Sequence, residues 1–322
     1  MEATPLATFA KIAIMKTSRM QSPLRAGPAV GLPGGGRVLS ADQAQRARRE
    51  FGALLPKEQR AFQLLVGAKK SAVAQDFLWK ALAAGHSVSE VSTFAKAIDG
   101  FYDEELLETL SLRDALPSAV GASYGLTQQS KFACGPSVAE ALQGENDPVY
   151  ALETRLRNRD VHRYVPEDAT FNRNLALEQR TYLERYGGDV TPRADSHPGK
   201  GINPYPLYNS LSPVTGHHYT EEDVPNVNVE SDRRRALEGI CTQVAQGIAT
   251  PMSITVADQS RGHGVLAVDV KGRGEEQSLL IHDPWRGVTE WARCEDIAKG
   301  TYDFTATGLN LLWDYAKADK AP

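Results

Sequence analysis

Cysteine is scarce in this chain. The 322 residues hold three, Cys134, Cys241 and Cys294. An odd number, widely spaced, argues against a disulfide framework, because pairing any two leaves one over. The ordinary role of a lone cysteine is that of a small buried apolar residue. That suits Cys241 and Cys294, which stand in apolar helical or strand-flanking patterns, and the expected working environment is reducing. Long apolar runs are also missing: nothing approaches the ~18 residues of a membrane span. The short patch Ile12 to Met15, followed by Lys16, is too brief for a signal-peptide core, so general secretory export is not expected. Neither sign of charge dominates, with 36 basic and 40 acidic residues and a net charge of -4. That balance gives no electrostatic case for nucleic acid or an anionic membrane as the main partner, and aromatics do not interleave with a basic patch.

Familiar catalytic motifs are absent too. There is no His-Glu-x-x-His, and the adjacent His217 and His218 should point their rings apart, so no metal is expected. There is no Gly-x-Ser-x-Gly elbow. The glycine run ending at Gly36 lacks the Gly-Lys-Ser/Thr ending and the preceding strand of a phosphate loop, so no cofactor is expected from it. The run Asp232-Arg-Arg-Arg235 reads as a solvated helix start.

Three regions follow from composition. Residues 1–39 carry Lys11, Lys16, Arg19, Arg25 and Arg37 against Glu2, and they end in a Gly/Pro-rich linker, 27–36. Residues 40–117 read as a small all-helical module. Ser40 with Gln43, and Ser87 with Glu90, are capping boxes, and Pro56 suits a first helical turn. Val73, Phe77, Leu78, Ala81 and Leu82 recur at helical spacing before Gly85. Val91, Phe94 and Ile98 share one side of the next helix. The acidic stretch from Asp103 suits another helix start, where the dipole favours negative charge. No polar cluster that would carry chemistry is legible in this module. From 118 to 322 the pattern changes: helices and long polar loops run to about residue 250, followed by strand-like runs at 252–257, 264–270 and 278–281. Helices first and antiparallel strands later predict an α+β domain.

Within that region one set of residues suggests chemistry. Pro136 places a helix start at about Cys134, with Gly144 expected to end the helix. A cysteine at a helix N-terminus has its thiolate stabilised by the dipole and by free backbone N–H groups. His263 opens an apolar run, so it sits at a strand start, where a base is well fixed. Asp283 ends the next strand, where antiparallel pairing brings matched ends side by side. It is thus placed to accept a hydrogen bond from His263 and fix its tautomer, with Trp285 covering that bond. His282 is a competitor, but alternation turns it to the other face of the strand.

In the order Gln128, Cys134, His263 and Asp283 the chain resembles papain-like cysteine peptidases, especially their C39-like branch. The resemblance rests on Gln128 six residues before the cysteine, on Cys134-Gly135-Pro136, on Gly262-His263 before an apolar strand, and on Asp283-Pro284-Trp285. The segment from Arg234 to Pro251 resembles the family's helix leading into its first central strand. The likeness spans roughly residues 118–300 and leaves out the helical module. The stretch 145–232 is longer and more polar than such a domain needs, and is read as an insertion that shapes the substrate cleft.

The resemblance implies a papain-like fold and a Cys-His-Asp triad. Cys134 would be the nucleophile, His263 the base and Asp283 its orienting partner, while Gln128 helps to hold the oxyanion. It implies a protein substrate cleaved through a thioester, with no cofactor. Deamidation or transglutamination by the same thioester stays open, as does a non-catalytic C39-like binding domain. Two settings also stay open. One is an ordinary cytoplasmic enzyme. The other is a bacterial effector or toxin passed into a target cell by a non-Sec machine, with a secretion chaperone or that machine reading the basic N-terminal region.

Overall fold

Hydrogen bonds exchanged between Ser40 and Gln43 open the first helix of a computed structural model that describes residues 38–113, 125–156, 167–189, 201–259, 262–304 and 308–320. The basic segment and linker anticipated before residue 38 lie outside the described residues. Five helices come first: α1 (Ala41–Ala53), α2 (Pro56–Ala68), α3 (Ala72–Ala83), α4 (Val88–Ala97) and α5 (Asp103–Leu110). The starts of α1, α2, α4 and α5 are those read from the sequence. Pro56 occupies the first position of α2, Ser87 and Glu90 form the capping box of α4, and three carboxylates sit in the first turn of α5. Val73, Phe77, Leu78, Ala81, Leu82, Val91, Phe94 and Ile98 are buried together in one core.

The chain continues through α6 (Cys134–Asn146), α7 (Pro148–Leu156), α8 (Glu167–Tyr186), α9 (Tyr205–Ser210) and the single turn α10 (Ser212–Thr215). Then come β1 (His217–Asp223), α11 (Glu230–Ala245), β2 (Thr250–Thr255), β3 (Gly262–Lys271), β4 (Ser278–Asp283), β5 (Val288–Arg293), α12 (Cys294–Lys299) and β6 (Leu311–Lys320). The strands form one antiparallel sheet in the order β1-β6-β2-β3-β4-β5, so the domain is α+β.

Alternation along the central strands gives the sheet two apolar faces. Val265, Ala267, Leu279 and Ile281 point toward α11 and α12, where Leu237, Ile240 and Ile297 meet them. Leu266 and Ala316 point the other way, toward Val138 and Leu142 of α6. Each fully buried leucine or isoleucine contributes roughly 1.5–3 kcal/mol relative to exposure, so α6 is held on the sheet by its own apolar side.

Three expectations need correction. The stretch before residue 250 contains a strand, β1, which pairs with β6 along the sheet edge. Its sequence is polar because only His217 and Tyr219 turn inward. Gly144 does not end α6, which runs on to Asn146. Its smallness instead admits Leu112, whose side chain lies 2.8 Å from where a Cβ would stand. Arg233 is not solvated: its buried guanidinium donates to the Ala298 carbonyl at 2.7 Å and to the Val227 carbonyl. Arg234 and Arg235 do lie on the surface, paired with Glu230, Glu295 and Asp232.

The first five helices, whose core also takes in Leu152 of α7, are joined to α6 by a buried polar cluster that the sequence did not reveal. Arg46 of α1 donates to Asn146, the last residue of α6, at 2.6 Å, to the Ala83 carbonyl at 3.0 Å and to the Val214 carbonyl at 2.5 Å. Its Nε pairs with Asp42 at 2.9 Å. Gln43 donates to the Glu145 carbonyl at 2.6 Å, and Arg113 pairs with the Glu145 carboxylate.

Candidate active site

Helix α6 begins at Cys134, and its N-cap residue, Ala133, has no side chain able to satisfy the first-turn N–H groups. Pro136 falls in that first turn, where a missing N–H costs nothing. Gly135 allows residues 202–204 to close over the helix start: an added Cβ would lie 3.3 Å from Pro204 and 3.4 Å from Ile202. Cys134 itself is half-buried.

Strand β3 brings the histidine. The start of α6 sits against Gly264, close enough that a Cβ there would be 3.8 Å from the Cys134 carbonyl and 3.4 Å from Val138. Leu266 stands across from His282. His263 and Asp283 are therefore diagonal neighbours on the opposite face of the β3–β4 pair. His263 Nε2 lies 2.8 Å from Asp283 Oδ1, and both residues are buried. With Nε2 engaged by the carboxylate, Nδ1 is the ring nitrogen left for the Cys134 sulfur.

The electrostatics favour separated charges. Burial pushes the Cys134 thiol up, but contact with the His263 ring and with the Gly264 and Gly135 N–H groups outweighs it, leaving the thiol below its ordinary value. Burial pushes His263 down, yet hydrogen bonds with Asp283 and Cys134 raise it to about 9. Both shifts run toward a thiolate beside an imidazolium.

Gln128 is stitched to the same place. Its backbone N–H donates to the Pro284 carbonyl, one residue past Asp283, at 2.8 Å. One side-chain N–H goes to the Ser130 carbonyl at 3.0 Å, and the other has no acceptor among the described residues. The Trp285 ring stands edge-on to His263 with centroids 6.2 Å apart, and its backbone N–H donates to Asp283 Oδ1 at 2.9 Å. Trp285 is nevertheless 48% exposed, so it shields one side of the His–Asp pair only.

His282 is turned away from the site. It is fully buried, with Nδ1 3.1 Å from the Thr289 hydroxyl. Burial and the nearby Arg113 guanidinium depress it to about 4, so it is neutral at pH 7.

Cys241 and Cys294 are both buried, and although distant in sequence their sulfurs lie 3.6 Å apart where α11 meets α12. Among the described residues no group of three or more His, Cys, Asp or Glu is arranged to hold a metal, and no helix is long and apolar enough to cross a membrane. The residue sequence reasoning missed is Gln179 of α8, a buried amide that grips the Gln128 segment. Nothing in its local pattern, a polar residue in a polar helix, distinguishes it. In comparisons with family models, curated proteins and solved structures, the chain matches none of them.

Proposed function

We propose that this protein is a cysteine peptidase of papain-like fold acting on a protein substrate. The observation that carries the reading is His263 held by Asp283 on one ring nitrogen and set against the thiol of Cys134, itself at the first turn of a helix. The Cys134 thiolate attacks a peptide carbonyl carbon. The resulting oxyanion is taken by the Cys134 backbone N–H and the free N–H of Gln128, and each such donor is worth roughly 100-fold or more in rate. His263 gives its proton to the departing amine as the C–N bond breaks, which leaves a thioester. Water, deprotonated by His263, then displaces the sulfur and releases the acid. Asp283 orients the ring and stabilises its charged form throughout.

The test is incubation of the active chain with its own Cys134→Ala form and with a denatured protein mixture, read by mass spectrometry. New termini that depend on Cys134 support peptidase action and locate the cut. A mass gain of one unit on glutamine with no cleavage would replace proteolysis by deamidation. No change in either substrate would count against an enzyme.

A further inference from the structure

Gln179 uses both ends of its side-chain amide beside the candidate site. It is 1% exposed. Its Oε1 accepts from the Gln129 backbone N–H at 2.7 Å. Its Nε2 donates to the Thr127 carbonyl at 3.0 Å and to the Glu140 carboxyl at 2.7 Å. The amide thus holds the chain on both sides of Gln128, with both donors and one of its two acceptor positions occupied. Glu140 is six residues beyond Cys134 on the same helix and has no solvent exposure. Burial, aided by neighbouring Glu178, pushes its carboxyl well above the ordinary carboxylate range.

We infer that Gln179 is a positioning residue for the oxyanion site: it sets the Gln128 amide relative to Cys134 by tying residues 127 and 129 to the body of α6. The inference rests on the reading of Gln128 as an oxyanion donor. The physical need for such a clamp is plain. Gln128 lies outside helix and strand, and a displacement of about 1 Å in a catalytic group can cost about 100-fold in rate. The Pro284 and Ser130 contacts hold Gln128 from one end, and Gln179 supplies the link to the helix that carries the nucleophile.

Two reactions of Cys134 separate this role from a merely structural one. Alkylation by iodoacetamide attacks a tetrahedral carbon and develops no oxyanion, whereas acylation by p-nitrophenyl acetate does. The full-length Gln179→Met variant, close in shape but without the three bonds, should alkylate at the wild-type rate and acylate about 100-fold more slowly. Gln128→Ala should show the same selective loss, and the double variant should lose little more than either alone. Gln179→Glu keeps an acceptor for Gln129 but neither donor, and should show the same signature if Gln179→Met does not fold. Equal loss of both reactions in the Gln179 variants, failure of both variants to fold, or wild-type acylation would overturn the clamp. Should Gln128→Ala acylate normally, or the wild-type chain not acylate at all, the oxyanion reading of Gln128 fails first.

Discussion

A single oxygen of Asp283 accepts both the His263 Nε2 hydrogen, at 2.8 Å, and the backbone N–H of Trp285, at 2.9 Å. The second bond holds the carboxylate in place, so the first can orient the imidazole. Because that imidazole is buried, its protonated form depends on this partner more than an exposed ring would.

Asp283→Asn should keep activity within about tenfold, because an amide oxygen still accepts from a doubly protonated ring. Asp283→Ala should lose roughly 10- to 100-fold, as expected when an orienting partner is removed. His282→Ala should leave the rate of the folded protein unchanged but cost about 1–3 kcal/mol of stability, since its bond with Thr289 is lost in a dry site. Cleavage rates and urea melts on the three variants check this. Inactive His282→Ala beside active Asp283→Ala would assign the orienting role to the wrong residue.

The pH behaviour follows from two opposed shifts. His263 is raised from 6.5 to about 9. Its contribution to stability is therefore complete below about 6.5 and lost as pH rises through about 9. Cys134 is lowered from 9.0, so its contribution is present above 9.0 and lost as pH falls through the folded value. Between those limits the slopes oppose each other, so the two contributions to stability partly cancel. Reactivity should not be flat: alkylation of Cys134 should reach half-maximum below pH 9, and cleavage should fall above about 9 as the imidazolium disappears. His263→Asn should move the alkylation midpoint upward. An unchanged midpoint would remove the thiolate–imidazolium pair from the mechanism.

Iodoacetamide at limiting dose should label Cys134 first. It combines partial exposure with a lowered thiol, while Cys241 and Cys294 are buried against each other. Peptide mapping after brief exposure provides the check, and earlier labelling of either buried cysteine would contradict it.

Arg46→Ala should destabilise the chain by about 3–5 kcal/mol. It takes away one partner each from Asp42, Asn146 and two carbonyls in a buried cluster, leaving Asp42 with His217 and Asn146 with Gln43. Because Arg46 anchors the end of α6 whose start carries Cys134, the variant should also lose acylation at temperatures well below its melting point. Urea denaturation with an activity measurement at each temperature tests both. A loss under 1 kcal/mol would mean α1 and α6 are held together elsewhere.

Much of this was decided locally. Ser40, Gln43, Ser87, Glu90 and Pro56 mark helix starts because caps and first turns depend on a few neighbouring residues. The alternation around His263 and Asp283 placed them on one face, with His282 on the other, because side chains in a strand alternate wherever the strand lies. Cys134 was recognisable through the short motif that opens its helix. The structure decided what depends on partners far away in the chain. β1 reads as polar and becomes a strand only because β6 offers it an edge. Arg233 looks like a surface cation and, like Arg46, is buried because carbonyls or an amide from other elements take up its N–H groups. Gly144 looks like a helix end and is a seat for Leu112. Gln179 matters only because residues 127, 129 and 140 converge on its amide. A hydrogen bond fixes a polar side chain only where its partners are, and in these cases the partners are brought by the fold rather than by neighbours in sequence.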